Sequence, residues 1–190
     1  MNDERRAAWE RRHQGSRAGA PEPSVAEIIA LLPRGRALDL AAGTGRNALA
    51  LARAGFAVVA ADYSQSALAE IARAAAVEDL PIEAVLADLA AGLPLRAESF
   101  DLAINVNFLE RALIPEITRA LKPGGALLFD TFLIDEVGVD HLRDPRFALG
   151  HYELRGLLGA IELLRYREGI VEYPNGRRAW RATALARRRK

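Results

Sequence analysis

The chain has 190 residues, 51% of them hydrophobic, and a formal net charge of +1 from 26 Lys and Arg against 25 Asp and Glu. This length suits one domain with a buried core, and the balanced charge provides no overall field that would attract nucleic acid or anionic lipid. The absence of cysteine excludes disulfides, a thiol nucleophile and zinc sites with Cys ligands.

The beginning of the chain, MNDERRAAWERRHQG, carries charges where a signal peptide needs an apolar run. No later apolar stretch is long enough to span a bilayer, so we expect a cytoplasmic protein that does not bind membranes. The three histidines, His13, His141 and His151, are widely spaced, and we therefore predict no metal site.

Short apolar runs alternate with longer helical segments, which predicts an α/β fold with a parallel sheet. Helices are predicted at 3–12, 23–32, 46–54, 65–76, 109–121 and 151–159. Strands are predicted at 36–41, 56–61, 82–87, 100–105, 125–131, 161–171 and 178–186. The Pro174-Asn175-Gly176 turn between the last two strands predicts a hairpin, so the final strand should be antiparallel to its partner.

A glycine loop follows the first strand, in the stretch LDLAAGTGRNALALA at residues 38–52. Gly43, Gly45 and Ala48 satisfy the pattern G-x-G-x-x-A, which also describes dinucleotide-binding loops. The loop by itself therefore indicates a nucleotide-like ligand and leaves its identity open.

Polar residues mark the ends of the first four strands. Asp39 lies inside the first strand, Asp62 and Asp88 follow the second and third, and Asn105 and Asn107 follow the fourth. An acid after strand two can accept the ribose hydroxyls of either NAD or an adenosyl sulfonium. Three carboxylates around one crevice suit a cationic sulfur and an ammonium group better than a pyrophosphate. Each acid could alternatively be an ordinary cap or turn residue.

An ordered set of motifs resembles that of the class I S-adenosylmethionine-dependent methyltransferases. The motifs, in chain order, are ALDLAAGTGRNA, VVAADYS, AVLADL, FDLAINVNFLER and LKPGGALLFDTF. The stretches PRFALGHYELRGLL and NGRRAWRATALARR are similar to the tellurite-resistance and small-molecule methyltransferase group. The resemblance implies a single Rossmann-like domain over 1–190, with a doubly wound, seven-stranded, mostly parallel sheet in 21–190 and an amino-terminal helix within 1–20 that would act as a lid.

The resemblance also implies which residues contact the cofactor S-adenosylmethionine and its product S-adenosylhomocysteine. The cofactor residues are Asp39, Ala41, Gly43, Gly45, Arg46, Asn47, Asp62, Tyr63, Asp88, Leu89 and Asn105. The substrate-facing candidates are His13, Asn107, Arg111 and Arg178. Two departures are evident: Ala41 replaces the usual first loop glycine, and Glu172-Tyr173-Pro174 stands where tellurite-type members carry a His-Arg pair.

The predicted reaction is methyl transfer to a small molecule, either a thiol or a chalcogen oxyanion, by in-line displacement. Nothing in the composition suggests a nucleic acid partner, and a monomer or homodimer is expected. Two alternatives remain: a cofactor-binding module without turnover, and an NAD-dependent oxidoreductase, which would explain the loop and Asp62 but not Asp88 or the terminal hairpin.

Overall fold

The structure is a computed structural model that describes residues 18–93, 95–134 and 145–189. Within these ranges the helices are α1 (Pro23–Ile29), α2 (Arg46–Arg53), α3 (Gln65–Glu78), α4 (Ile114–Ala120) and α5 (Glu153–Leu157). The strands are β1 (Arg36–Leu40), β2 (Ala57–Asp62), β3 (Ile82–Leu86), β4 (Phe100–Val106), β5 (Leu121–Phe132), β6 (Glu162–Glu172) and β7 (Arg178–Arg187). The helix predicted at 3–12 lies outside the described residues.

The seven strands form one sheet in the order β3-β2-β1-β4-β5-β7-β6. The first five strands are parallel to their neighbours, and β7 is antiparallel to both β5 and β6. The predicted α/β class and the antiparallel final strand are confirmed. Because the strand order reverses at β1, the carboxyl ends of β1, β2 and β4 meet at the crevice where such sheets bind ligands.

Both faces of the sheet are covered, which explains why its central strands are apolar at successive positions. In β5, Leu127 and Phe129 join a buried cluster shared with α4 and α5. The alternate residues Ala126 and Leu128 join a second buried cluster shared with α1 and α2. The alternation follows from the two-residue period of a strand.

Most predicted bounds differ from the structure by one to three residues, and two elements differ more. The segment predicted as helix 109–121 is a 3-10 turn at Arg111–Leu113 followed by α4, because Pro115 is tolerated only in the first turn of a helix. Strand β5 starts at Leu121 instead of 125, and its pairing with β4 shifts register between Phe100 and Leu102. No helix of the described ranges is long and apolar enough to cross a membrane.

Candidate cofactor and acceptor site

The glycine loop turns sharply between β1 and α2. Ala41, Gly43 and Gly45 have φ values of +53°, +55° and +86°, a region that side chains disfavour. A Cβ atom added at Gly45 would come within 2.6 Å of Cγ1 of Ile71 in α3. The close packing of α3 therefore requires glycine at position 45, and the loop keeps a bare backbone at the carboxyl end of β1.

Asp62, the last residue of β2, binds this loop directly. Its Oδ2 accepts a hydrogen bond from the backbone N–H of Gly43 at 2.8 Å, and its Oδ1 accepts from the backbone N–H of Ser64 at 2.9 Å. A carboxylate has about four lone-pair sites, so both oxygens retain capacity for a further donor. Asp62 thus fixes the loop and can also accept the hydroxyls of a ribose.

Asp39 provides the second carboxylate of the crevice. The residue is 1% exposed, and its Oδ2 has no hydrogen-bond partner among the described residues. Burial, with the charge of Asp62, raises the pKa of Asp39 from 3.8 to about 8, although the Ala48 backbone and Arg46 act in the opposite direction. A buried acceptor with a free oxygen fits a cationic group such as the ammonium of an amino acid.

The other predicted cofactor residues lie along the same edge of the sheet. Asn105 is buried, is paired with Leu40 of β1 in the sheet register, and donates from Nδ2 to the carbonyl of Phe108 at 2.7 Å. Oδ1 of Asp88 caps a 3-10 turn by accepting from the backbone N–H of Ala90 at 3.1 Å. Leu89 is buried in the core and Tyr63 is half-buried. These residues therefore lie at or just after the carboxyl ends of β2, β3 and β4, and their contacts with a cofactor stay predictions.

A buried glutamate, Glu22, was missed in the sequence and connects the loop to the terminal hairpin. Its Oε2 accepts from Arg46 at 2.5 Å, and its Oε1 accepts from the hydroxyl of Tyr173 at 2.6 Å. Its backbone N–H donates to Oδ1 of Asn47 at 2.9 Å. In this structure Arg46 and Asn47, predicted to contact the cofactor, are held by the residue that precedes α1.

A second polar cluster lies at the carboxyl ends of β4 and β5. Oδ1 of Asp130 accepts from Nε and Nη2 of Arg181 at 3.0 and 2.7 Å. Oδ1 of Asn107 accepts from Nη1 of the same guanidinium at 2.6 Å. The side chains of Arg181 and Asp130 are 1% and 5% exposed, whereas Asn107 is exposed. We call Asp130, Arg181 and Asn107 the second polar cluster.

The remaining substrate-facing candidates are not part of this cluster. Arg111 is paired with Glu153 at 2.5 Å and donates to the carbonyl of Ala148 at 3.2 Å, so it connects the segment after β4 to α5. Arg178 is exposed at the start of β7, opposite Glu172. His13 lies outside the described residues. Within those that are described, no three His, Cys, Asp or Glu side chains form a group that could hold a metal ion.

The pairing of Arg181 with Asp130 was not predicted, although the sequence contains a pattern that indicates it. Each is a charged residue inside an otherwise apolar strand, in the runs ALLFDTF and AWRATALA. Charges buried in a sheet require a partner of opposite sign, so an acid and a base at such positions are expected to pair.

Comparison with known proteins identifies a sequence family for the part of the chain that contains the crevice. Residues 37–125 match the family described as "Methyltransferase domain". This range runs from β1 into β5 and includes the glycine loop, Asp62 and Asn105.

Curated relatives and a solved structure extend the comparison. A demethylmenaquinone methyltransferase of Clavibacter sepedonicus is 43% identical over 103 residues, 51% of this chain and 41% of that protein. A protein of Eikenella corrodens named Hemagglutinin 1 is 32% identical over 152 residues, 77% of this chain and 50% of its own length. The chain thus spans about half the length of these relatives. TehB from Haemophilus influenzae has the same fold, with a TM-score of 0.78 at 24% identity over 89% of this chain and 63% of TehB.

Proposed function

We propose that the chain is a class I S-adenosylmethionine-dependent methyltransferase that methylates a small-molecule acceptor, because residues 37–125 match the family described as "Methyltransferase domain". The observation that carries the proposal is the pair of acidic side chains beside the glycine loop. Asp62 binds the loop backbone at Gly43, and Asp39 keeps a buried oxygen that has no hydrogen-bond partner among the described residues.

The residues of the crevice fit S-adenosylmethionine. Asp62 would accept from the ribose hydroxyls, Asp39 would hold the ammonium group, and Asp88 would accept from the adenine amine. The free oxygen of Asp39 suits a charged donor, and the ammonium group of S-adenosylmethionine is one, which favours the sulfonium cofactor over a pyrophosphate-containing dinucleotide. When bound, the cofactor supplies a methyl group that is already activated by a sulfonium.

The task left to the protein is alignment and exclusion of water. Asn105 fixes the segment after β4 through its bond to Phe108, and Glu22 fixes Arg46 beside the loop. Such groups orient reactants without taking part in bond making. A dedicated base is unnecessary if the acceptor reacts as an anion.

The acceptor itself is proposed at the level of chemical class. The terminal hairpin and the resemblance to the tellurite-resistance group favour a thiol or a chalcogen oxyanion. The names of the curated relatives add a quinone-type acceptor. We further propose that the protein acts in the cytoplasm, on small molecules and not on nucleic acid, as a monomer or homodimer.

Calorimetric titration with S-adenosylmethionine, S-adenosylhomocysteine and NAD tests the cofactor. We expect the first two to bind and NAD not to bind. A screen for S-adenosylhomocysteine release over thiols, selenite, phenols and reduced quinones then tests the reaction. Binding of NAD alone would contradict the proposal and restore the oxidoreductase alternative.

Binding of both sulfur ligands without turnover on any acceptor would instead support a binding module. Two departures from the family pattern support that alternative, Ala41 in the glycine loop and Glu172-Tyr173-Pro174 in place of the His-Arg pair. An active methyltransferase and a binding module would therefore give the same calorimetric result and would differ only in the release of S-adenosylhomocysteine.

A further inference from the structure

We propose that the side-chain amide of Asn107 donates a hydrogen bond to an anionic oxygen of the acceptor, and that Asp130 and Arg181 are positioning residues that fix this amide. The inference rests on the proposed function and specifies its acceptor. It concerns residues at the end of β4 and in β5 and β7, at the same edge of the sheet as the glycine loop.

The first step is the buried ion pair. Arg181 of β7 gives two hydrogen bonds to one oxygen of Asp130 in β5, the neighbouring strand. The Arg181 guanidinium carbon lies over the Phe132 ring, 4.4 Å from its centroid. With an acid and an aromatic ring in contact with it, the guanidinium has little freedom to move, and Arg181 is almost completely shielded from solvent.

The second step is the orientation of the amide. A guanidinium only donates hydrogen bonds, so the atom of Asn107 that lies 2.6 Å from Nη1 must be the oxygen. The amide nitrogen is then left on the side away from Arg181. Because a charged donor polarises the amide, its N–H groups become stronger donors.

The backbone of Asn107 is held as firmly as its side chain. Its φ is +59°, a left-handed conformation that asparagine adopts more readily than most residues with a side chain. Its N–H donates to the carbonyl of Asp130 at 2.9 Å. Asn107 is thus attached to the neighbouring strand by its backbone and to Arg181 by its side chain.

The position of Asn107 relates it to the cofactor crevice. Asn105 is paired with Leu40 at the end of β1, and Asn107 follows two residues later. Asn107 is exposed whereas both of its supporting residues are buried. A fixed, exposed donor beside the crevice is the arrangement expected of a group that contacts a ligand.

The chemistry of the donor selects the acceptor class. An N–H group with a cation behind it attracts an anionic oxygen and repels an ammonium group. Two of the nearby carboxylates are paired, Asp130 with Arg181 and Glu22 with Arg46. In the proposed function Asp39 and Asp62 are engaged by the cofactor, so the acidic groups of the crevice do not cancel this preference. Phenolates, enolates and chalcogen oxyanions all carry such an oxygen, whereas amines and simple thiols do not.

The test measures binding of 4-nitrophenol to protein saturated with S-adenosylhomocysteine. Its phenolate absorbs visible light and the neutral phenol does not, so absorbance reports the ionisation of the bound probe without any turnover. We expect the wild type to lower the pKa of the bound phenol. Asn107→Ala should weaken phenolate binding about tenfold, as for loss of one charge-assisted hydrogen bond. The matched control is Asn175→Ala, an exposed asparagine at the hairpin tip, which should bind like the wild type.

Two further variants test the positioning role. Arg181→Lys keeps the positive charge but lacks the planar guanidinium that hydrogen-bonds Asp130 and Asn107 at the same time. The double variant Arg181→Met, Asp130→Leu removes the ion pair without leaving a buried charge. Both should lose the shift in phenol pKa, while the affinity for S-adenosylhomocysteine stays that of the wild type. In assays with a methyl acceptor, these variants should raise KM more than they lower kcat.

The outcomes separate the two proposals. Absence of S-adenosylhomocysteine binding by the wild type would overturn the proposed function. Normal S-adenosylhomocysteine binding, with no phenolate binding or with equal phenolate binding in the wild type and Asn107→Ala, would overturn this inference alone. If selenite competes with the phenolate, the acceptor is assigned to the chalcogen oxyanions. If selenite does not compete and the phenolate binds through Asn107, the acceptor is assigned to the phenolates or enolates.

Discussion

The two sides of the crevice are built in different ways. We call β1, β2, β3 and their following loops the cofactor half, and β4, β5, β6 and β7 the acceptor half. In the cofactor half, a carboxylate binds the backbone of a loop 19 residues away, as Asp62 does with Gly43. In the acceptor half, side chain binds side chain over 51 and 74 residues, as Arg181 does with Asp130 and Asn107.

This difference indicates which half of the crevice tolerates substitutions and which half does not. A site made from backbone groups and a glycine turn tolerates few substitutions, because the loop shape itself is the binding surface. A site made from paired side chains can change its partners together while the strands keep their pairing. We therefore expect the cofactor half to determine the reaction type and the acceptor half to determine which molecule is methylated.

The largest expected effect is on stability, in the acceptor half. Arg181→Met leaves Asp130 charged and buried without a partner, which should lower the free energy of unfolding by about 3 to 5 kcal/mol. Adding Asp130→Leu should recover most of that loss. Urea denaturation of the single and double variants checks the prediction, and equal destabilisation of both would show that packing and not charge is responsible.

The next effect should fall on cofactor affinity. Asp62→Ala removes the acceptor that faces the loop and the ribose, and should weaken S-adenosylhomocysteine binding by about 3 kcal/mol, on the order of 100-fold. Calorimetry checks this value, with Glu83→Ala on the exposed edge strand β3 as the control. Unchanged affinity in Asp62→Ala would contradict the ribose assignment.

A smaller effect should appear as a pH dependence. The pKa of Asp39 is raised from 3.8 to about 8 by burial and by Asp62, so the native state retains a proton that the unfolded chain loses above about pH 4. The contribution of Asp39 to stability is therefore greatest below about pH 4 and declines as pH rises toward 8. Between about pH 6 and pH 7, the wild type should lose up to about 1.4 kcal/mol more than Asp39→Asn. Urea denaturation at both pH values measures this loss. An equal change of unfolding free energy with pH in the wild type and in Asp39→Asn would contradict the assignment of this proton to Asp39.

The smallest effect should come from the contact that joins the two halves. Tyr173→Phe removes the hydroxyl that donates to Glu22 and should cost about 1 kcal/mol in unfolding free energy. Arg46→Ala removes the other partner of Glu22, so the double variant tests their coupling. Strictly additive losses would show that Glu22 does not connect the hairpin to the loop.

The fold could be predicted from the sequence because its signals are local. The apolar runs, the glycine loop and the Asn175-Gly176 turn each identify an element within a few residues, and the structure contains the corresponding strands. The start of β5 was predicted too late because Pro123 and Gly124 favour a turn. In the structure these residues lie within the strand, but its pairing with β4 shifts register there and Gly124 has a φ of +82°. The turn preference therefore appears as an irregularity inside β5.

The cofactor half of the site was predicted for a related reason, since its residues follow strands whose order sets where they meet. The contact between Glu22 and Tyr173 could not be predicted in this way, because the two residues are 151 positions apart and no local sequence pattern indicates that they meet. Arg111 was predicted to face the substrate because it resembles a substrate-facing position of the family, and that role stays a prediction. Its pairing with Glu153 could not be foreseen, because no local pattern specifies the packing of that segment.

The position of β7 has a consequence for biosynthesis. β7 follows β6 in the chain and yet lies between β5 and β6, where it pairs with both. Until the ribosome has released this segment, the emerging polypeptide carries an open edge on β5 and a β6 segment with no neighbour. Unpaired edges of this kind are prone to aggregation. The nascent chain can bring together the carboxyl ends of β1, β2 and β4 before β7 emerges, whereas the pairing of Asp130 with Arg181 must wait for β7.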